Sequence, residues 1–299
     1  MQQDVTFGQA GAAFLAFRKG RKADRTVSKH TWLLGVLRPL HGRPLAAIRA
    51  PEVLRVLRQL EAKGQTETAR RAGQFTGRVF RYAIGEGWCE NNPARDLRGN
   101  LEGVKTTSHA GVIQPENFGQ LMKLIDMPGY CHRTVYNALR LLARTALRPG
   151  ELRRGLWAEV DLDKAEWRIP AERMKMRRPH LVPLAAQAVD ILWDQWEVSG
   201  NQEFIFPGMR SGRPLSDAAM GIAIKNLFVP PEVHVPHGFR VSFSSMLNEL
   251  GEDAAVIELQ LSHAKQDKIA GIYDRSQRVA DRVALMQRWA DYIDRLKVP

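Results

Sequence analysis

Cysteine is nearly missing from this chain of 299 residues, which holds only Cys89 and Cys131. The two lie far apart and lack metal-ligand spacing. That excludes a disulfide scaffold and a zinc finger, and it suits a reducing cytoplasm. Long apolar runs are missing too, and none approaches the roughly 18 residues of a membrane span. The longest early apolar stretch, Ala12–Phe17, has no basic flank before it and does not read as a secretory signal. There is no internal repeat, no low-complexity tract and no obvious cluster of metal ligands. Acidic residues are the scarcer charge, 32 Asp/Glu against 44 Lys/Arg, giving a net charge of +12 and a pI near 10.0. Such a balance favours a polyanionic partner, most simply nucleic acid or an anionic membrane. The remaining composition, 44% hydrophobic and 25% charged, is that of a globular chain long enough for about two domains.

The positive charge is concentrated. Residues 1–100 carry 18 Lys/Arg and 8 Asp/Glu, whereas residues 101–299 carry 26 and 24. The first third is the electrostatic arm, and the rest is nearly balanced. The polar, weakly periodic stretch Arg98–Gly111 reads as a linker. It divides the chain into a helical domain over 1–99, a connection over 100–112 and a second domain over 113–299.

Periodicity predicts four helices in the first domain. The first starts near Thr6 and turns Phe7, Ala10, Phe14 and Phe17 inward. The second spans about Val27–Leu37. The third, Glu52–Lys63, has Pro51 at its first turn. The fourth runs from Thr66 to Ile84 and stops at Gly85-Glu86-Gly87. Along it Arg70, Arg71, Arg78 and Arg81 alternate with Phe75, Val79 and Phe80. Such a bundle can hold a DNA backbone through phosphates, with Lys29, Arg70, Arg71 and Arg78 as candidate contacts. A solvated charged face fits the same pattern.

The second domain reads as mainly helical, over Pro115–Asp126, His132–Thr145, Leu184–Val198, Leu215–Phe228, His237–Leu250 and Gln277–Leu296. Three short β runs interrupt it, Val160–Leu162, Trp167–Ile169 and His180–Val182, which predicts a small antiparallel sheet. The last helix could pack on its own domain or dock on a neighbouring subunit.

Four motifs could carry chemistry. In Ala146-Leu147-Arg148-Pro149-Gly150-Glu151, Pro149 places Arg148 at a helix entrance that attracts anions, with Glu151 near enough to hold the guanidinium. A capped helix with a surface ion pair would look the same. In Pro236-His237-Gly238-Phe239-Arg240, two cationic donors share the first turn of a helix, as a phosphate site or as a polar cap. Leu261-Ser262-His263 is followed ten residues on by Tyr273, a phenol that could act as a nucleophile beside cationic groups. The basic run Arg173–His180 includes Lys175, a possible proton donor, and Arg177 and Arg178, which fit a hairpin that touches phosphate.

Their order resembles the tyrosine recombinase family, the integrases of temperate phages and genomic islands. The segments ALRPGELRRGLWAEVDL, RMKMRRPHLVPL, VPHGFR and LQLSHAKQDKIAGIYDR are similar to the matching integrase segments. So are Asn91-Asn92-Pro93-Ala94 and the final MQRWADYIDRL, and the likeness covers about residues 6–296. It implies a SAM-like core-binding helical domain joined to an α+β catalytic domain. It also implies that Arg148 and Arg240 bind the scissile phosphate, that Tyr273 attacks it, and that Lys175 protonates the leaving oxygen. His237 and His263 would orient the phosphate and assist proton transfer, with Glu151 supporting Arg148. No metal, cofactor or ATP is implied. The implied partners are double-stranded DNA recombination sites, three further copies of the chain in a tetramer, and accessory DNA-bending or excision factors, in a bacterial cytoplasm and away from any membrane. Many integrases of this group begin with a further small domain that binds arm-type DNA, whereas this sequence starts almost directly in the helical domain. Relaxation of supercoils by the same chemistry, as in type IB topoisomerases, and DNA binding without catalysis remain alternatives.

The basic helical domain predicts strongly salt-dependent DNA binding. If about six to ten phosphates are neutralised, affinity falls by roughly 10³–10⁵ between 50 and 200 mM salt. A flat salt titration would contradict the clamp.

Overall fold

Thr6 opens the first helix with a capping box. Its hydroxyl accepts from the Gln9 amide at 3.3 Å, and the Gln9 side chain accepts from the Thr6 amide at 2.9 Å. In this computed structural model, which describes residues 4–21, 24–103, 110–174, 177–210, 212–263 and 278–298, helix α1 then runs Phe7–Arg18. The chain divides into two units, Met1–Thr106 and Thr107–Pro299.

The first unit is helical. Helix α2 spans Asp24–Val36, α3 Ala50–Glu61 and α4 Thr66–Gly85. Phe7, Phe14, Leu37, Leu57, Phe75 and Phe80 form its buried centre, with the Phe7 and Phe80 rings 5.8 Å apart. Helix α4 ends where Gly87 takes φ +72°, a left-handed conformation that a Cβ would strain. Phe17 departs from the expected inward face. It is 42% exposed, because it lies one turn beyond Phe14, where its ring meets Tyr82 at 5.3 Å between centroids and the Arg21 guanidinium at 4.1 Å. Leu97 is buried in this unit and the Glu102 amide donates to Glu61 at 2.8 Å, so the start of the expected linker is part of the packed structure.

The second unit is also mainly helical, with α5 (Pro115–Asp126), α6 (Arg133–Thr145), the four-residue α7 (Pro149–Leu152), α8 (Ala186–Ser199), α9 (Ala219–Asn226), α10 (Gly238–Glu249), α11 (Ala254–Gln260) and α12 (Val279–Leu296). Strands β1 (Val160–Asp161), β2 (Glu166–Ile169) and β3 (His180–Pro183) form an antiparallel sheet in that order, with Trp167 opposite Val182 and Ile169 opposite His180. Residues 110–112 belong to this unit: the Val112 amide donates to His234 and the Val235 amide to the Ala110 carbonyl, each at 3.2 Å.

Three expectations change. The helix over Leu215–Phe228 is shorter, because the Leu215 amide pairs with the Phe206 carbonyl at 2.8 Å and keeps the chain extended before α9. Helix α8 begins after Leu184, whose amide continues the sheet by donating to Ala165 at 2.9 Å. Helix α11 was not foreseen; it is capped by Asp253, whose carboxylate accepts from Ala255 at 2.8 Å.

Helix α12 packs within its own unit. Trp289 is fully buried against Phe118 and Phe243, and its indole donates to the Ala143 carbonyl at 2.9 Å. Val283 is 50% exposed, and the buried Arg282 takes the inward place beside it. Truncating Trp289 to Ala therefore costs the second unit about 3–5 kcal/mol in urea unfolding, whereas Val283→Ala stays within about 0.5 kcal/mol. Equal losses would contradict this packing.

Candidate active site

Two tight turns of left-handed backbone build the site. Helix α6 ends at Ala146, with φ +50°, and α11 ends in a turn with Ser262 at φ +50°. Neither residue is glycine, so each conformation is strained and held by its surroundings. The two turns expose the carbonyls that collect the arginines.

Arg240, on the first turn of α10, is 5% exposed. Its guanidinium donates to the Ala146 carbonyl at 2.6 Å and the Leu261 carbonyl at 2.7 Å, and also meets His263 Nε2 at 2.9 Å. Burial first, and then the nearby charge of Arg148, push its pKa down to about 10, while Glu151 and Glu258 oppose the shift. Arg240 remains a cation at neutral pH. Arg148 is the N-cap of α7 and donates to Glu151 Oε1 at 2.9 Å and to the Ser262 carbonyl at 3.2 Å. The two guanidiniums thus share consecutive carbonyls of one turn. With only four residues, α7 contributes little dipole, so attraction for an anion rests on the guanidiniums rather than on the helix entrance.

A guanidinium only donates. His263 Nε2 must therefore accept from Arg240, which leaves the ring proton on Nδ1, directed at Glu258 Oε2 2.8 Å away. Glu258 was not foreseen; its signal in the sequence is an acid five residues before the histidine, within reach only because the chain turns at Ser262.

His237 stands at the N-cap of α10, half-buried and three residues from Arg240. The structure thus pairs Arg148 with Glu151 and Arg240 with His263, brings the two pairs together through the Ser262 and Leu261 carbonyls, and places His237 on the element that carries Arg240. Lys175 and Tyr273 lie outside the described residues. Arg177, at φ +52°, and Arg178 are exposed on the segment before β3. Arg173, from the same basic run, is turned inward and ion-paired with Glu159.

His180 is a further group that sequence reasoning passed over. It is 7% exposed on β3, and among the described residues its Nε2 has no hydrogen-bond partner. Burial, reinforced by the charges of Arg282, Arg240 and Arg148 and opposed by the Gln260 carbonyl, lowers its pKa to about 3. Behind the site, Arg282 donates to Gln260 Oε1 at 2.9 Å and to the Leu181 carbonyl, tying α12 to α11 and β3. Gln260 in turn donates to the Thr145 carbonyl at 3.3 Å.

In the first unit, Lys29 is exposed on α2. Arg70 and Arg71 both pair with Glu67, the Arg70 bonds measuring 2.7 and 2.8 Å. The Arg70 hydrogen bond is the main cause that draws the Glu67 carboxyl down to about 2. Two of the candidate cations are therefore partly compensated. Arg78 contacts the buried His30 Nε2 at 3.2 Å.

A helical unit linked in sequence to a helical domain with a three-stranded antiparallel sheet is the fold of the tyrosine recombinases. The phage integrase central-domain profile matches residues 7–100, and the phage integrase family profile matches residues 112–278. The chain belongs to the phage integrase family. It is similar to the prophage integrase IntZ of Escherichia coli K12, with 36% identity over 253 residues, covering 84% of this chain and 61% of that protein. It thus spans about three fifths of that relative's length. Its fold is similar to that of a lambda integrase tetramer bound to a Holliday junction, with TM-score 0.68 and 18% identity over 92% of this chain and 79% of the other. The Tn1549 transposon integrase in complex with circular intermediate DNA gives TM-score 0.66 and 16% identity over 94% and 99%.

The buried histidines set an acid dependence of stability. His180 and His234, whose pKa burial lowers to about 4, stay neutral in the fold at pH values where the unfolded chain takes up protons. Stability is therefore full above about pH 6.5 and falls as pH drops below it. The loss reaches about 2 kcal/mol per histidine at pH 5, before the carboxylates titrate. Urea midpoints at pH 8 and pH 5 measure this, and His180→Gln removes its share. A slope unchanged by that substitution would contradict the assignment.

Proposed function

We propose that this chain is a site-specific DNA recombinase that cleaves and rejoins DNA through a 3′-phosphotyrosine, integrating or excising a mobile element. The observation that carries this reading is the convergence of Arg148 and Arg240 on consecutive carbonyls of the turn that ends in His263. Two fixed, like-charged guanidiniums side by side are costly without an anion between them. They match a phosphodiester and, better still, the extra charge of its five-coordinate transition state.

In the proposed reaction the Tyr273 oxygen attacks phosphorus in line. The new tyrosine–phosphorus bond forms as the bond to the 5′-oxygen breaks. The phenolic proton leaves by way of the histidines, and Lys175 gives a proton to the departing oxygen. His237 and His263 orient the phosphate, and Glu151 holds Arg148. A second 5′-hydroxyl reverses the steps on a new strand, so bond energy is conserved and no ATP is consumed. Lys29, Arg70, Arg71 and Arg78 in the first unit, with Arg177 and Arg178 in the second, contact phosphates along the duplex. Family membership and the DNA-bound state of the lambda and Tn1549 neighbours support DNA as the substrate. The lambda tetramer on a Holliday junction supports assembly of four copies on two sites. Accessory DNA-bending or excision proteins would set direction, in a bacterial cytoplasm. Among the described residues no helix is long and apolar enough to cross a membrane.

Covalent trapping tests the proposal. The protein is incubated with nicked duplexes carrying randomised cores and denatured in detergent. Wild type is expected to leave a protein–DNA adduct and Tyr273→Phe none. An adduct from both would place the nucleophile elsewhere. DNA binding without any adduct from wild type would favour a non-catalytic binder.

A further inference from the structure

Three arginines are buried among the described residues, Arg144, Arg240 and Arg282. Arg144 has a counter-charge, pairing with Asp294 at 3.0 Å. Arg240 and Arg282 have no carboxylate in contact among the described residues. Arg282, one turn into α12, is 2% exposed. Its Nε and Nη2 donate to Gln260 Oε1 at 3.2 and 2.9 Å, and Nη2 also reaches the Leu181 carbonyl. All of these acceptors are neutral. Burial presses its pKa down to about 10, so it remains a cation at neutral pH.

Its seat connects it with the two arginines of the site. Gln260 is itself buried, and its amide donates to the Thr145 carbonyl, next to the Ala146 carbonyl that receives Arg240. The two residues after Gln260 supply the carbonyls that hold Arg240 and Arg148. Arg282 thus approaches from behind the turn that the other two guanidiniums occupy in front. The buried His180 ring lies among all three, and the charge of Arg282 acts on it more strongly than those of Arg240 and Arg148. Only Arg148 has a carboxylate, Glu151, to offset it. A tie between β3, α11 and α12 made of apolar side chains would be at least as stable as one that buries a lone charge. Packing alone therefore does not account for a guanidinium here.

We infer that Arg282 is a third positive charge of the site, seated on Gln260 behind the turn so that its field adds to that of Arg148 and Arg240 on a bound phosphodiester. It acts through space, because its donors are committed to Gln260 and Leu181 and its side chain is closed to solvent. In a low-dielectric interior such a charge is felt beyond contact distance. This inference rests on the recombinase reading.

The test separates charge from shape. The full chain is given a duplex recovered by the covalent trapping, with either an ordinary phosphate or an uncharged methylphosphonate at the scissile position. Arg282→Gln removes the charge and keeps a donor for Gln260. The double variant Arg282→Met/Gln260→Leu removes it by replacing the polar pair with apolar side chains of similar volume, so a neutral form remains to be measured if the single variant fails to fold. Arg282→Lys keeps the charge and gives up the planar fork. In single-turnover cleavage of the phosphate duplex, the neutral variants are expected to slow by about 10-fold and Arg282→Lys by much less. On the methylphosphonate the neutral variants lose much less than on the phosphate. Cleavage of the phosphate duplex at the wild-type rate by a folded neutral variant would overturn the inference. Equal slowing on both duplexes would overturn it too, because that marks a merely structural role, and so would a loss in Arg282→Lys as large as in the neutral variants. Wild type inert on the phosphate duplex would instead sink the recombinase reading itself, and this inference with it.

Discussion

Two positive charges held side by side are the constraint on which the second unit is organised. Left to themselves, Arg148 and Arg240 would separate into solvent. Arg240 instead is buried, with a pKa pressed down by that burial and by Arg148. What holds the pair is backbone: Ala146 and Leu261 for one guanidinium, Ser262 for the other. Carbonyl dipoles satisfy the donors without cancelling the charge. Glu151 offsets part of the repulsion and fixes Arg148, and net positive potential remains.

That arrangement demands rigid turns, and much of the unit serves to keep them. Helix α6 delivers Ala146, and the buried α12 grips α6 through Trp289 at Ala143 and through Arg144 with Asp294 at 3.0 Å. Arg282 and Gln260 join α12, α11 and β3 behind the site, and Gln260 reaches back to Thr145 at the end of α6. The strained φ angles at Ala146 and Ser262 persist because these contacts leave the chain no relaxed alternative. Helix α12, beginning six residues after Tyr273, is thus part of the scaffold of the site.

The sequence made most of the architecture legible, for identifiable reasons. Helices α4 and α6 have long apolar faces with a clear period, and Pro149 marks the entrance at Arg148. The Arg148–Glu151 pair was legible because both partners sit within one helical turn. Contacts made by folding distant segments together left no local trace. Arg173 looked like one more surface cation until Glu159, fourteen residues away, turned it inward. Glu258 gained its place through the turn at Ser262, and His180 through burial between β3 and α12. Arg70 and Arg71 erred the other way. Their spacing suggested cations facing solvent, yet Glu67, one turn back, partly compensates both.

In the proposed reaction Arg148 and Arg240 act by balancing the charge of a phosphodiester. The direct measurement is single-turnover cleavage by wild type and Arg148→Ala of one duplex carrying either an ordinary phosphate or an uncharged methylphosphonate at the scissile position. Charge balance predicts that Arg148→Ala loses several orders of magnitude on the phosphate and much less on the methylphosphonate, where there is less charge to neutralise. An equal loss on both would mean that Arg148 serves shape rather than charge, and would contradict the account.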